Sequence, residues 1–302
     1  MLSEVFYWLF NMSISASVAG IIILITGRIK KLPRRLVHMF WAIPFLRMWI
    51  PIGITSKYSL MELISRFTTK TVVVYDGVLN FAMTNHVMAA NNYSPITYKV
   101  SILDKLFRTA SIIWIIVAAA IIIATLVLYF ITKTELQDAS HLRDNIYVSD
   151  RISTPATYGI FSPKIIIPKG YERQDLYYIL AHESVHIHRK DNLWRIVAVI
   201  SASVHWFNPF IWLFLKKFLE ETELACDERV LAECDKDEKK SYALALVGCA
   251  ESKNVFASAF GGAKIRVRID NILSYKKLSA IAIISLTVFA IAIAYVLLTN
   301  AS

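Results

Sequence analysis

Charge is scarce in this sequence. Only 19% of its 302 residues are Asp, Glu, Lys or Arg, against 56% hydrophobic residues, and the mean hydropathy is +0.49. Three stretches, residues 5–26, 109–132 and 278–302, carry no charge at all. That excludes an ordinary water-soluble domain, because each stretch is long enough for a helix to cross the roughly 30 Å hydrocarbon core of a bilayer. A fourth, residues 36–54, is interrupted only by His38 and Arg47. Cysteine is also sparse. Cys226, Cys234 and Cys249 have the wrong spacing for a zinc knuckle, and all fall in a region expected to be cytoplasmic, so no disulfide is read. Acidic residues are outnumbered 23 to 33, a net charge of +10. The excess gathers beside apolar segments, as in Lys264, Arg266, Arg268, Lys276 and Lys277, so anionic lipid and not nucleic acid is its expected partner.

Residues 5–26 are not a signal peptide, because Glu4 precedes them and Arg28, Lys30, Lys31, Arg34 and Arg35 follow. The positive-inside rule places that basic loop in the cytoplasm. The N-terminus is then outside, the loop 55–108 is extracellular, and residues 133–277 form a cytoplasmic domain. The last span, 278–302, exits again, leaving no room for a folded extracellular domain after it. Residues 1–132 are thus a membrane region with three spans, at about 5–26, 36–54 and 109–132. Arg47, within the second, either marks a functional intramembrane charge or, near the outer end of that span, simply reaches the headgroups with its long side chain.

What is present is a motif. Residues His182-Glu183-Ser184-Val185-His186 place two imidazoles one helical turn apart with a carboxylate beside them. Catalytic zinc takes three protein ligands and keeps one position open, so a third is needed. Before any further acidic cluster comes the charge-free run 196–215, which would score as another span. A crossing there would put the histidines and a later ligand on opposite sides of the membrane. The run is also broken at His205-Trp206-Phe207-Asn208-Pro209, where Asn208 and Pro209 suit an N-cap and first helical residue. We therefore expect a bent, re-entrant or interfacial helix pair over 193–219, lying against the cytoplasmic face of the bilayer.

The following helical pattern carries Glu223 and Asp227 one turn apart. Glu-x-x-x-Asp after His-Glu-x-x-His is the Glu-zincin arrangement: the Glu ligates, and the Asp accepts the other ring proton of a ligand histidine. Glu220 shares nearly the same face and competes with Glu223 on spacing alone. One catalytic Zn2+ held by His182, His186 and Glu223 would acidify a water at its open position, with Glu183 taking the proton. His205 and Tyr171 are both conceivable oxyanion donors, and spacing selects neither. His188 reads as a surface residue and Cys226 as a small buried hydrophobe. Upstream, Tyr158–Phe161 and residues 164–167 flank Ser162-Pro163 and read as two strands around a turn. Such strands either offer an edge to an extended substrate or simply pack on the active-site helix.

Taken together, Thr154-Pro155, Gly159, Ser162-Pro163, Ile167-Pro168, the zinc motif with Arg189-x-Asp191, Trp206-Phe207-Asn208-Pro209 and Glu223-x-Ala225-Cys226-Asp227 resemble the BlaR/MecR-type membrane metallopeptidases, the beta-lactam-sensing transducers and their relatives. The resemblance is specific over residues 150–235 and extends more loosely to the four-span layout. It implies a mainly α, multi-pass membrane protein of four transmembrane helices plus a cytoplasmic α+β Glu-zincin domain with a small β-sheet. It also implies limited proteolysis of a cytoplasmic repressor, of the chain itself, or of both. The antibiotic receptors continue beyond the last span into a penicillin-binding domain. Here the signal is expected to enter through loop 55–108 or a separate sensor protein, and a homodimer is a further candidate assembly. The stretch around Ala259 and Phe260 is a candidate self-cleavage region, with a plain linker as the alternative. A membrane quality-control protease and a non-catalytic receptor or scaffold are the competing classes. The Asn208-Pro209 and Arg189-x-Asp191 elements weigh against the first and the complete set of ligands and base against the second.

Overall fold

A computed structural model describes residues 2–29, 32–49, 56–59, 101–136, 138–152, 154–169, 173–250, 264–275 and 280–299. The chain is mainly helical with one small mixed sheet. Helices α1 (Leu2–Thr26) and α4 (Ser101–Glu135) contain the first two charge-free stretches. Among the described residues these two are long and apolar enough to cross a membrane. On α4, Ile112, Ile113, Ile116, Ile123 and Leu126 point away from the protein, an apolar surface that suits lipid and not water. Most of loop 55–108 lies outside the described residues, as do Tyr171, Ala259 and Phe260.

The expected second span is not one helix over its described part. It forms α2 (Arg34–Phe40) and α3 (Ala42–Trp49), which meet at Trp41. Pro44 accounts for the break: it has no N–H to give the Phe40 carbonyl, and its ring crowds that oxygen. Arg47 does not reach outward either. It is 2% exposed, and its Nη1 donates to the Leu298 carbonyl at 3.0 Å.

Four short strands follow α4: β1 (Ser140–Arg143), β2 (Ile146–Ser149), β3 (Ala156–Tyr158) and β4 (Lys164–Pro168). Their order is β1-β2-β4-β3, with β2 and β4 parallel and the outer pairs antiparallel. The expected strand from Tyr158 to Phe161 lies earlier in the chain. Gly159 adopts φ +95°, which ends β3 at Tyr158 and turns the backbone so closely that a Cβ would stand 2.8 Å from the Ser162 carbonyl oxygen. Helix α5 (Arg173–Arg189) lies on this sheet, its Leu176, Leu180 and Ile187 packing against Ile146, Ile165 and Ile167.

The run 196–215 is a hairpin. Helix α6 (Asp191–Val204) ends before His205, and α7 (Pro209–Leu231) starts at an Asn208 whose side chain accepts from the Phe210 N–H at 3.0 Å. The same Asn208 donates to Ser13 Oγ and Ser17 Oγ, both at 2.7 Å. With Phe207 against Phe6 and Phe10, Asn208 on Ser13 and Ser17, and Phe214 against Gly20, α7 runs along α1. Ser13, Ser17 and Gly20 share one face of α1, and their small size is what admits it. At Gly20 an added Cβ would come within 2.3 Å of the Phe214 ring. Around this contact Ala16, Ala19, Ile23, Phe45, Met48, Ala198, Ala202, Ile211 and Phe218 form the main apolar core. Helices α8 (Lys236–Ala250) and α9 (Ile265–Ser274) pack on the C-terminal half of α7, and α10 (Ala280–Leu298) closes the described chain.

Candidate metal centre

Helix α5 presents His182 and His186 on one buried face, each 5% exposed, with their Nε2 atoms 3.2 Å apart. The hairpin returns α7 to this face, so that Glu223 Oε2 lies 3.4 Å from His182 Nε2 and Oε1 lies 3.7 Å from His186 Nε2. Bonds of 2.0–2.1 Å to a tetrahedral zinc give ligand-to-ligand edges of roughly 3.3–3.4 Å. The His182–His186 separation and that from His182 to Glu223 Oε2 match such an edge, and Glu223 reaches His186 through its other oxygen, Oε1, so the three residues are close enough to share one ion. Glu220, the competitor on spacing, pairs with Lys217 instead. A softer donor is also at hand: one ligand atom each from His182, His186 and Cys226 fall within 4.8 Å of one another. The Cys226 Sγ is engaged as a donor to the His182 carbonyl at 3.2 Å.

The remaining ring nitrogens are held from outside. His186 Nδ1 meets Asp191 Oδ2 at 2.6 Å. His182 Nδ1 meets Tyr242 Oη at 2.9 Å, and that hydroxyl donates to Asp227 Oδ1 at 2.6 Å. The expected direct contact from Asp227 to His182 is longer, 3.3 Å. With acceptors on the Nδ1 side, each ring would keep its Nε2 lone pair for a metal. Three carboxylates around the site also have an arginine: Arg189 on Asp191 at 3.2 Å, Arg195 on Glu223 at 2.7 Å, and Arg268 on Asp227 at 2.6 Å.

These charges set the protonation balance. Burial alone would raise Glu223, but His186, the bond from His182, Arg268 and Arg195 hold it well below the usual carboxylate range. Burial would likewise raise Asp227, and Arg268 with His182 brings it down to about 2. Burial pulls His186 down, yet Cys226, Glu223 and the bond to Asp191 raise it to about 9. His182 is raised too, burial being outweighed by Cys226, Tyr242 and the bond to Asp227. Even beside two arginines, the pocket favours further positive charge where the imidazoles meet, which is the electrostatic demand a divalent cation answers.

Glu183 lies next to this cluster, 8% exposed, and its Oε2 accepts from the Thr157 hydroxyl at 2.8 Å. Thr157 belongs to the edge strand β3, which Asn192 ties to α6 through the Thr157 and Gly159 carbonyls at 3.1 and 2.9 Å. His205 is not at the site. It caps the far end of α6, fourteen residues on from Asp191, about 21 Å along the helix, and is buried against Trp49 and Phe207. His188 is exposed and bonded to the Ser184 carbonyl. Thr157, Arg195, Tyr242 and Arg268 were not singled out as site residues by the sequence; none belongs to a spaced motif, and only the fold brings them in.

The chain is similar to known proteins. The chain is 36% identical over 91 residues to the regulatory protein BlaR1 of Bacillus licheniformis, covering 29% of this chain and 15% of that protein. It is 27% identical over 154 residues to the regulatory protein BlaR1 of Staphylococcus aureus, covering 47% and 26%. It is 22% identical over 239 residues to the methicillin resistance mecR1 protein of Staphylococcus aureus (strain Mu50 / ATCC 700699), covering 69% and 41%. The matches thus span less than half the length of each of these relatives. The profile of one family, described as BlaR1 peptidase M56, matches residues 7–272, and the chain belongs to that family.

Proposed function

We propose that this chain is a membrane-embedded zinc metalloendopeptidase that carries out regulatory limited proteolysis of a cytoplasmic protein, a transcriptional repressor, in transmembrane signalling. The observation that carries the reading is the convergence of His182, His186 and Glu223 from two helices, with Glu183 beside them and oriented by Thr157. A zinc ion held there would supply a Lewis acid for the scissile carbonyl and acidify the attacking water. Asp191 and Tyr242 hold the two imidazoles by their Nδ1 atoms, so that Nε2 of each is the nitrogen turned toward an ion. Glu183 takes the proton of the water and returns it to the leaving amine, and the Thr157 hydroxyl holds the carboxylate that does so. Peptidases bind substrate extended, and β3, at the sheet edge beside Glu183, is the strand positioned to pair with it.

The cytoplasmic side is favoured by the basic loop after α1. Arg34 pairs with Glu221 at 3.1 Å, and the Arg35 N–H donates to Glu228 at 2.8 Å, so that loop and the ligand-bearing helix α7 share one side of the protein. The relatives' names, regulatory and methicillin-resistance proteins, favour a signalling role over general turnover. The stimulus then arrives through a partner sensor or loop 55–108, and the stretch at Ala259 and Phe260 is a candidate second substrate in the chain itself, with a plain linker as the alternative. The test compares the proteome of cells carrying the wild-type chain with that of cells carrying Glu183→Ala. A discrete repressor fragment made only by the wild type is expected. Equal fragment patterns, or broad loss of misfolded membrane proteins, would overturn the regulatory reading.

A further inference from the structure

Arg268, counted by sequence among the basic residues facing lipid headgroups, ends at the metal centre instead. Its Nε and Nη2 donate to the two oxygens of Asp227 at 2.8 and 2.6 Å, a two-pronged clamp. Its Nη1 lies 3.5 Å from Glu223 Oε2, the oxygen nearest His182, and its Nη2 lies 3.3 Å from His182 Nε2. We propose that Arg268 is a positioning residue of the metal centre, holding Asp227 and Glu223 in the orientations in which one supports a ligand and the other is one. The proposal rests on the zinc reading above.

The physical case begins with Asp227, whose side chain is fully buried. It sits one turn from Glu223 on the same face of α7, so two anions share a dry space and repel. A planar guanidinium between them offsets both charges and, through its fork, fixes the plane of the Asp227 carboxylate; an ammonium offers charge without that plane. The Asp227 plane in turn sets Tyr242, which bonds His182. Arg268 is delivered by α9, between the stretch holding Ala259 and Phe260 and the last apolar helix α10. The centre therefore includes a residue from the far side of the candidate cleavage region, and its ligand geometry depends on where α9 sits.

Two effects of the arginine oppose each other, which makes the test decisive. As a bare positive charge it would weaken metal binding, and removing it would tighten binding. As a positioning residue its loss loosens the ligands, and outer-shell losses of that kind cost about 10–100-fold in metal affinity. Zinc affinity by chelator competition, and the visible absorption of cobalt(II) in the same site, are measured on the full chain in detergent for wild type, Arg268→Ala, Arg268→Lys and Arg266→Ala. Arg266 is on the same helix but exposed and makes the matching charge control. We expect Arg268→Ala to lose about 10–100-fold in affinity with an altered cobalt spectrum, Arg268→Lys to recover part of both, and Arg266→Ala to match wild type. Equal or tighter binding by Arg268→Ala overturns the inference. If circular dichroism shows that variant unfolded, Arg268→Lys decides: weaker binding with an altered spectrum supports the fork, and wild-type behaviour overturns it. A wild-type chain that binds neither metal defeats the zinc reading itself.

Discussion

At the residue scale, the centre depends on what stands behind the donors. Asp191 is buried and meets His186 Nδ1 at 2.6 Å, so its charge both orients the ring and raises its basicity. Asp191→Asn keeps the shape and removes the charge; zinc affinity measured by chelator competition is expected to fall about 10–100-fold with the helical content unchanged. Thr157 bonds Glu183, the proposed base. Thr157→Val is expected to lower kcat about tenfold, the worth of one hydrogen bond to a charged group, at unaltered zinc affinity. A joint loss of metal and activity would show that Thr157 supports the helix and not Glu183 alone.

At the scale of elements, the hairpin of α6 and α7 decides whether a centre exists. Its route along α1 needs Gly20, where the Phe214 ring occupies the space of a side chain. Gly20→Ala is expected to destabilise the protein by about 1–3 kcal/mol through overpacking, seen as a lower melting temperature in detergent. Phe214→Leu in the same chain should recover part of that loss, because the clash and its relief involve one pair of residues. Failure of the double variant to recover would mean that α1 and α7 meet elsewhere. The break between α2 and α3 has an equally local cause in Pro44, yet its result, Arg47 turned inward onto the end of α10, depends on three helices meeting.

For the whole molecule, the metal is expected to act as a stabilising ligand, since its donors come from α5 and α7 and their supports from α6, α8 and α9. Stripping zinc with a chelator should lower the melting temperature, and restoring free zinc at 100 times its Kd should return about 2.7 kcal/mol. Glu183→Ala, which leaves every proposed ligand in place, should show the same zinc-dependent shift while lacking proteolysis. A melting temperature indifferent to zinc in both proteins would count against a metal shared among these helices.

Much of this was legible in the chain because it is local. Charge-free runs mark apolar helices, the His-Glu-x-x-His spacing sets two imidazoles on one face, and Asn208-Pro209 starts a new helix. Each follows from helical geometry and backbone chemistry within a few residues. The rest needed helices to approach one another. Glu220 and Glu223 are equivalent by spacing, and only the angle at which α7 meets α5 turns Glu223 inward. His205 and Arg268 exchange their expected places, one far from the centre and one within it, because a lone histidine or arginine carries no local signature of what it will face. The sequence by itself determined which groups could serve the chemistry, whereas the packing of α5, α7, α8 and α9 decided which of them meet, since contact across helices is a property of their faces and not of any one segment.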